Sequence, residues 1–364
     1  MLRQLIFFGL LGSAALAALA YLLPSDAPVS EPVPEPERVS RVVAPPPETR
    51  PEGPRLSFPV GCLIGEDCWY MAFVDLDERP SYRDHMCGIR TYNGHKGTDF
   101  ALNDDATTAV AIHAAAAGKV LGTRDGQDGT PMRQADPARE ATRCGNGVRL
   151  DHGDGWTTQY CHMAQGSVAV RTGESVTVGQ RLGQIGSSGW SEHPHLHFQL
   201  EKDGAPVDPF VGLGVTDGAQ CDVPTTSGRG LWDNAAAHNG ELYRPVVIRQ
   251  VGLTTSVPDQ DTAKFDGYPK KARTDAEALV AYIVIFGGPA DARIDTLIEG
   301  PAGEKVFSGT QALDRAYAQY FTFAGKKRTI SAWPSGVYTA RITVSGSGPA
   351  GPYQAKASAD LILQ

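Results

Sequence analysis

Five of the nine histidines fall in three short segments whose residue types suit metal chemistry. The segments are Gly94-His95-Lys96-Gly97-Thr98-Asp99, Tyr160-Cys161-His162-Met163 and His193-Pro194-His195-Leu196-His197-Phe198. In a strand, residues two apart face the same side, so His195 and His197 can both point into one cleft, one to bind a metal and the other to face a substrate. His95 and Asp99 are four apart, an even spacing that also permits a shared side, although Gly97 can bend the chain between them. Two imidazoles and one carboxylate make a sound ligand set for Zn2+, which in catalytic sites takes three protein ligands and leaves a fourth position for water. Zinc lowers the pKa of such a water to ~7 and polarises the carbonyl of a scissile amide, while a nearby histidine can carry the proton to the leaving amine.

The elements that must position these residues read as β-strands. From about residue 58 to 222 the chain alternates glycine turns with short strand-like runs, such as Gly147 to Leu150, Trp156 to Tyr160 and Leu196 to Leu200, and helical periodicity is scarce. An antiparallel β domain is predicted. Between Cys144 and Cys161 two such runs flank the turn residues His152, Gly153, Asp154 and Gly155. Folding this stretch as a hairpin puts the two cysteines nearly opposite, and a Cys144–Cys161 disulfide is expected. Cys62 and Cys68 suit a short local bridge, which leaves Cys87 for Cys221. From residue 240 onward the pattern has period two: Ala340, Ile342 and Val344 alternate with Thr339, Arg341 and Thr343, and Ala357, Ala359, Leu361 and Leu363 with Lys356, Ser358 and Asp360. Half-buried strands separated by turns suggest a small, immunoglobulin-like β-sandwich.

Taken in order, H-K-G-T-D at 95–99, G-N-G-V-R-L-D-H-G-D-G-W-T-T-Q-Y-C-H at 145–162, V-G-Q-R-L-G-Q-I-G-S-S-G at 178–189 and P-H-L-H-F at 194–198 resemble the lysostaphin/LytM-type zinc metalloendopeptidase family over roughly residues 90 to 212. The resemblance implies one zinc ion with His95, Asp99 and His197 as ligands, and His162 and His195 as the two non-ligand histidines that orient or deprotonate water and stabilise the tetrahedral intermediate. It implies an all-β class, with an antiparallel LytM-type sheet (a barrel-sandwich hybrid) carrying a groove. The implied substrates are the peptide cross-links and stem peptides of peptidoglycan, with D,D-endopeptidase activity as the specific expectation for a Gram-negative-type envelope. A structural zinc site is disfavoured because only three ligands match. The alternative is a non-catalytic LytM-like regulator that binds and activates a cell-wall amidase; a regulator needs no full ligand set, and here all five positions are filled.

Composition sets the surroundings. The chain carries a formal net charge of −8 and no basic stripe, which argues against nucleic-acid binding. Residues 1–23 hold Arg3 followed by an apolar run from Leu5 to Leu23, an export signal that admits both a cleaved peptide and a retained inner-membrane anchor. Residues 24–56 are rich in proline and polar residues and read as a linker, 57–222 as the peptidase domain and 223–364 as the C-terminal sandwich. Six cysteines after an export signal fit an oxidising compartment, so a periplasmic location, soluble or tethered, is expected. The polar stretch Arg124 to Arg143 reads as a loop on the groove rim that restricts or selects substrate, and Ser57 to Arg90 as a segment able to cover the cleft. His193 is read as solvated or groove-lining, and His113 and His152 as structural or surface residues. The C-terminal domain is expected to be a binding or positioning module, with a cell-envelope protein as candidate partner; its Tyr320, Phe321, Phe323, Trp333 and Tyr338 fit a core better than a glycan-stacking face.

Overall fold

The computed structural model describes residues 53–103, 110–214, 230–233, 243–348 and 351–364. The export segment, most of the linker and Cys221 lie outside the described residues. The first half comprises β1 (Cys68–Ala72), β2 (Thr98–Leu102), β3 (Ala111–His113), β4 (Gly118–Arg124), a single turn α1 (Pro137–Glu140), β5 (Asn146–Gly153), β6 (Trp156–Met163), β7 (Ser175–Val176), β8 (Arg181–Gln184), β9 (His195–Lys202), β10 (Ala205–Asp208) and β11 (Leu213–Gly214). The main sheet runs β1-β2-β9-β6-β5-β4-β7, with β10 pairing β9 and β11 beyond it, and β3 pairs with β8 in a separate ribbon. All of these ladders are antiparallel, as the strand patterning predicts.

Two registers position the chemistry. In the β2–β9 ladder Asp99 stands opposite His197 and Ala101 opposite His195, and in the β6–β9 ladder Cys161 stands opposite His197. Asp154 and Gly155, both at positive φ, turn β5 into β6, a conformation that Asp and Gly tolerate better than most residues. Disulfides join Cys144 to Cys161, with Cα atoms 4.7 Å apart, and Cys62 to Cys68. One apolar core packs Phe100, Leu150, Tyr160, Phe198 and Leu200 from the sheet with Leu56, Leu231, Trp232 and Tyr243. This core reaches past both expected domain borders. Leu56 bonds through its backbone to Leu231 and Asp233, which fastens the end of the linker to a segment that the sequence reading assigns to the second domain.

The second half is a sandwich of β12 (Val247–Thr254), β13 (Lys271–Ala272), β14 (Ala278–Gly288), β15 (Arg293–Glu299), β16 (Lys305–Ala312), β17 (Tyr317–Lys327), β18 (Gly336–Gly348) and β19 (Gly351–Leu363). Its sheets have the orders β12-β14-β17 and β13-β19-β18-β15-β16. Ala340, Ile342, Val344, Leu361 and Leu363 face a core shared with Leu279, Ile283, Ile285, Trp333 and Tyr338. Phe323, by contrast, is exposed.

The two halves share a buried cation. Arg90 is fully buried; its guanidinium donates to the carbonyls of Tyr70 and Met71 in β1, the edge strand of the main sheet, and, at 2.6 Å, to the carbonyl of Arg244 just before β12. Burial pushes its pKa down to about 10, so it stays charged at neutral pH and depends on those carbonyls in place of water. Trp69 meets Phe286 edge-on at 5.3 Å beside it. Gly287, at φ +73°, lies against the Arg90 stem, where a Cβ would collide with Arg90 and with the Pro245 carbonyl. Gly287→Ala is therefore expected to cost about 1–3 kcal/mol, read as a lowered urea midpoint.

A buried histidine adds a pH dependence. His85 stacks on Phe210 at 4.7 Å and lies 3.5 Å from an Asp208 carboxylate oxygen. Burial alone disfavours its charged form, but Asp208 and then Asp84 outweigh burial and raise the pKa above the usual histidine value. A raised folded-state pKa contributes stability that is complete below the unfolded value of about 6.5 and is lost as pH rises through the folded value. Chemical unfolding across pH 6 to 9 should show this loss in the wild type, and His85→Phe should flatten the slope; equal slopes would sink the assignment.

Candidate metal centre and its groove

His95, Asp99 and His197 come together from a loop and two neighbouring strands, and one ligand-competent atom from each lies within 4.8 Å of the others. Asp99 is central: one carboxylate oxygen sits 3.2 Å from His95 Nε2 and the other 2.8 Å from His197 Nδ1. His95 Nε2 and His197 Nδ1 are themselves 3.1 Å apart. His95 Nδ1 lies 2.7 Å from the Phe73 carbonyl, which can only accept, so this nitrogen carries the proton and Nε2 presents its lone pair to the cluster. Two imidazole nitrogens and a buried carboxylate converging in this way suit a cation, and the His/Asp donor set fits zinc. Gly97 makes room for this arrangement, because a Cβ there would come within 2.7 Å of the His197 ring and 2.6 Å of the Phe198 carbonyl.

His162 and His195 line the same hollow with their rings 4.6 Å apart. Each is oriented by a carbonyl: His162 Nδ1 donates to Ser188 at 2.8 Å and His195 Nδ1 to His193 at 2.8 Å. Each Nε2 is thereby left as the proton acceptor. Burial holds the His162 pKa well below the ordinary range, reinforced by His195 and His197. Burial also lowers His195, with Asp99 opposing. Both rings are therefore neutral bases at neutral pH. For His95 burial acts downward too, but the adjacent Asp99 prevails and raises its pKa. Asp99 is buried, which by itself would raise its pKa, yet His95 and His195 hold it well below the carboxylate range. His162 occupies left-handed backbone at φ +63°, and its N–H bonds to the Cys144 carbonyl at 2.8 Å, so the disulfide-linked neighbour also holds the strained residue.

The cluster floors a cavity of about 760 Å³. On one side Arg143 lies over the Trp190 ring at 4.8 Å, which brings the end of the Arg124–Arg143 stretch onto the rim. From the Ser57–Arg90 segment, Met71 and Ala72 line a wall. His193 is buried and lines the hollow without joining the three-atom cluster, which makes it groove-lining and not solvated. His152 bonds to the Ala117 carbonyl and to Thr158, away from the cavity, and His113 lies on β3. Sequence reasoning misses Asp75, whose buried carboxylate accepts from the N–H groups of Asp77, Arg83 and Gly94, while its own N–H donates to the His95 carbonyl at 2.8 Å. It fixes the turn that presents His95, and an isolated aspartate twenty residues upstream carries no motif that marks it.

Residues 93–209 match the model of Peptidase family M23. Over 114 residues the chain is 31% identical to Peptidoglycan DD-endopeptidase ShyA of Vibrio cholerae, a match that covers 31% of this chain and 22% of that protein. It is 40% identical over 75 residues to Cell division protein DipM of Caulobacter vibrioides, covering 19% of this chain and 12% of that one. With DD-carboxypeptidase/endopeptidase Mpg of Neisseria meningitidis it shares 31% identity over 142 residues, covering 39% and 28%. The chain thus spans less than a third of the length of each of these relatives. Residues 93–209 accordingly form a Peptidase family M23 domain.

Proposed function

We propose that this chain is a zinc metalloendopeptidase that hydrolyses peptide cross-links of peptidoglycan in the periplasm, with D,D-endopeptidase specificity. The observation that carries the proposal is the convergence of His95, Asp99 and His197 beside two histidines whose rings are oriented by backbone carbonyls. His95 Nε2, His197 Nδ1 and an Asp99 oxygen would hold one zinc ion. When bound, zinc polarises the scissile carbonyl and acidifies a water molecule. His162 and His195 each present an Nε2 lone pair to the same hollow, so one accepts the proton of the attacking water and returns it to the leaving amine. The neutral state of both rings matches the acceptor role, and the protonated state reached during turnover matches the donor role. The second ring, 4.6 Å away in the same hollow, can orient the attacking water by accepting a hydrogen bond from it.

The names of ShyA and Mpg support peptidoglycan as substrate and the D,D bond as target. A regulator that only binds an amidase is the competing reading. It gives no reason for two proton-accepting histidines to be held against a ligand cluster, so the geometry favours chemistry.

Digestion of purified Gram-negative sacculi by residues 48–364 tests the proposal. Cross-linked muropeptide dimers should fall and monomers rise, and chelation should stop the reaction until zinc is restored. Asp99→Ala should lose bound zinc together with activity. His195→Ala should keep its zinc and lose about 10²–10⁴-fold in rate. Stoichiometric zinc with intact dimers would favour the regulator.

A further inference from the structure

The β-sandwich does not stand apart from the groove. Phe286 of β14 and Ala318 and Gln319 of β17 line the same cavity as His95, Asp99 and His197. Phe286 and Gln319 are partners in the β14–β17 ladder, which places them side by side at the edge of the hollow. Both are only partly buried, and the Gln319 amide makes no hydrogen bond among the described residues. Phe286 is held from behind by Trp69 at 5.3 Å, and its ring faces His193 at 6.2 Å.

A second contact from the sandwich grips the rim. The π-helical turn Thr262–Asp266 stacks Phe265 on His193 at 5.7 Å, pairs Lys264 with Glu192 at 3.3 Å, and accepts a two-pronged contact from Arg133 to Asp266 at 2.6 and 2.8 Å. Arg133 also lies over the Phe265 ring at 5.1 Å. The turn therefore holds both the loop that runs into His195 and the stretch that ends at Arg143. His193 is the hinge of this contact, because its carbonyl orients His195 Nδ1 at 2.8 Å.

We propose that the sandwich is a wall of the substrate site, in which Phe286 and Gln319 are specificity-determining residues that receive a peptide segment, and that Phe265 is a positioning residue acting on His195 through His193. The chemistry of the wall fits a neutral part of a peptide: a phenyl face for a small apolar side chain such as a methyl group, and a carboxamide that can both donate to and accept from a peptide bond. Arg143 lines the same cavity and offers a cation beside this neutral wall. This inference rests on the peptidase reading above.

The test uses the full chain in detergent and a purified peptide-cross-linked muropeptide dimer. On a His195→Ala background, which slows turnover enough for binding to be read, Gln319→Ala and Phe286→Ala should each weaken dimer binding about fivefold to tenfold, with zinc content and thermal midpoint unchanged for Gln319→Ala. In the active chain, Gln319→Ala should raise KM and leave kcat near the wild-type value. Phe265→Ala should instead lower kcat and speed hydrogen exchange of backbone amides in residues 189–195, with zinc retained, and Phe265→Tyr should restore both. Wild-type affinity in both wall variants, with cleavage intact in the parent chain, would overturn the wall alone. Unchanged kcat and exchange in Phe265→Ala would overturn the positioning role. A parent chain that neither binds nor cuts the dimer would remove the peptidase reading itself, and the wall with it.

Discussion

The pairing of β2 with β9 is the constraint on which the site depends. It sets Asp99 directly across from His197 and Ala101 across from His195. A slip of one residue would turn Asp99 away from the hollow, because successive side chains point to opposite faces of a sheet. The register is held by what lies on the other face: Phe100, Leu196 and Phe198 are buried in the core and would be driven into polar surroundings by the same slip. Packing on one side of the sheet thus fixes the chemistry on the other. The carboxylate and imidazoles can be kept close, and their unfavourable burial tolerated, because each is held by hydrogen bonds that water would otherwise supply.

Much of this was legible in the chain itself. The alternation of Ala340, Ile342 and Val344 with polar partners marks a half-buried strand, and the structure places those three residues in the sandwich core. The H-x-H pair and the H-x-x-x-D segment announce their chemistry because few other arrangements need those residue types at those spacings. What remained hidden depends on distance in sequence. Asp75 works through three backbone N–H groups, and its partners follow from a turn and not from a motif. Gln319 and Phe286 reach the cavity through the packing of one sheet against another, which no local pattern encodes. The borders blurred for a similar reason: Leu56 and the Leu231–Trp232 pair are short apolar signals in polar or irregular surroundings, and only the assembled core gives them a place.

Rigidity around the site is distributed unevenly. The carbonyls of Phe73, Ser188 and His193 each fix one histidine ring, so three imidazoles depend on three separate backbone segments. Ser188 also accepts at its backbone while its hydroxyl donates to Met163 and accepts from the Asn146 N–H, tying the β5–β6 hairpin to the loop that leads into β9. His193 has a different kind of support. It is held by aromatic faces on the sandwich, with Phe265 and Phe286 on two sides. A residue of the sandwich thus bears, through His193, on the histidine beside the His95, Asp99 and His197 cluster.

Arg90 gives this arrangement a consequence for how such a chain can change over time. A charge sealed between the two β-rich halves, with acceptors drawn from both, leaves neither half free to be exchanged for a foreign one. A substituted sandwich would have to supply a carbonyl in the place of Arg244 and an open backbone in the place of Gly287, or strand the cation without solvation. The junction works as a lock against recombination: point changes along the cavity leave Arg90 and its acceptors in place, and the shuffling of whole modules does not.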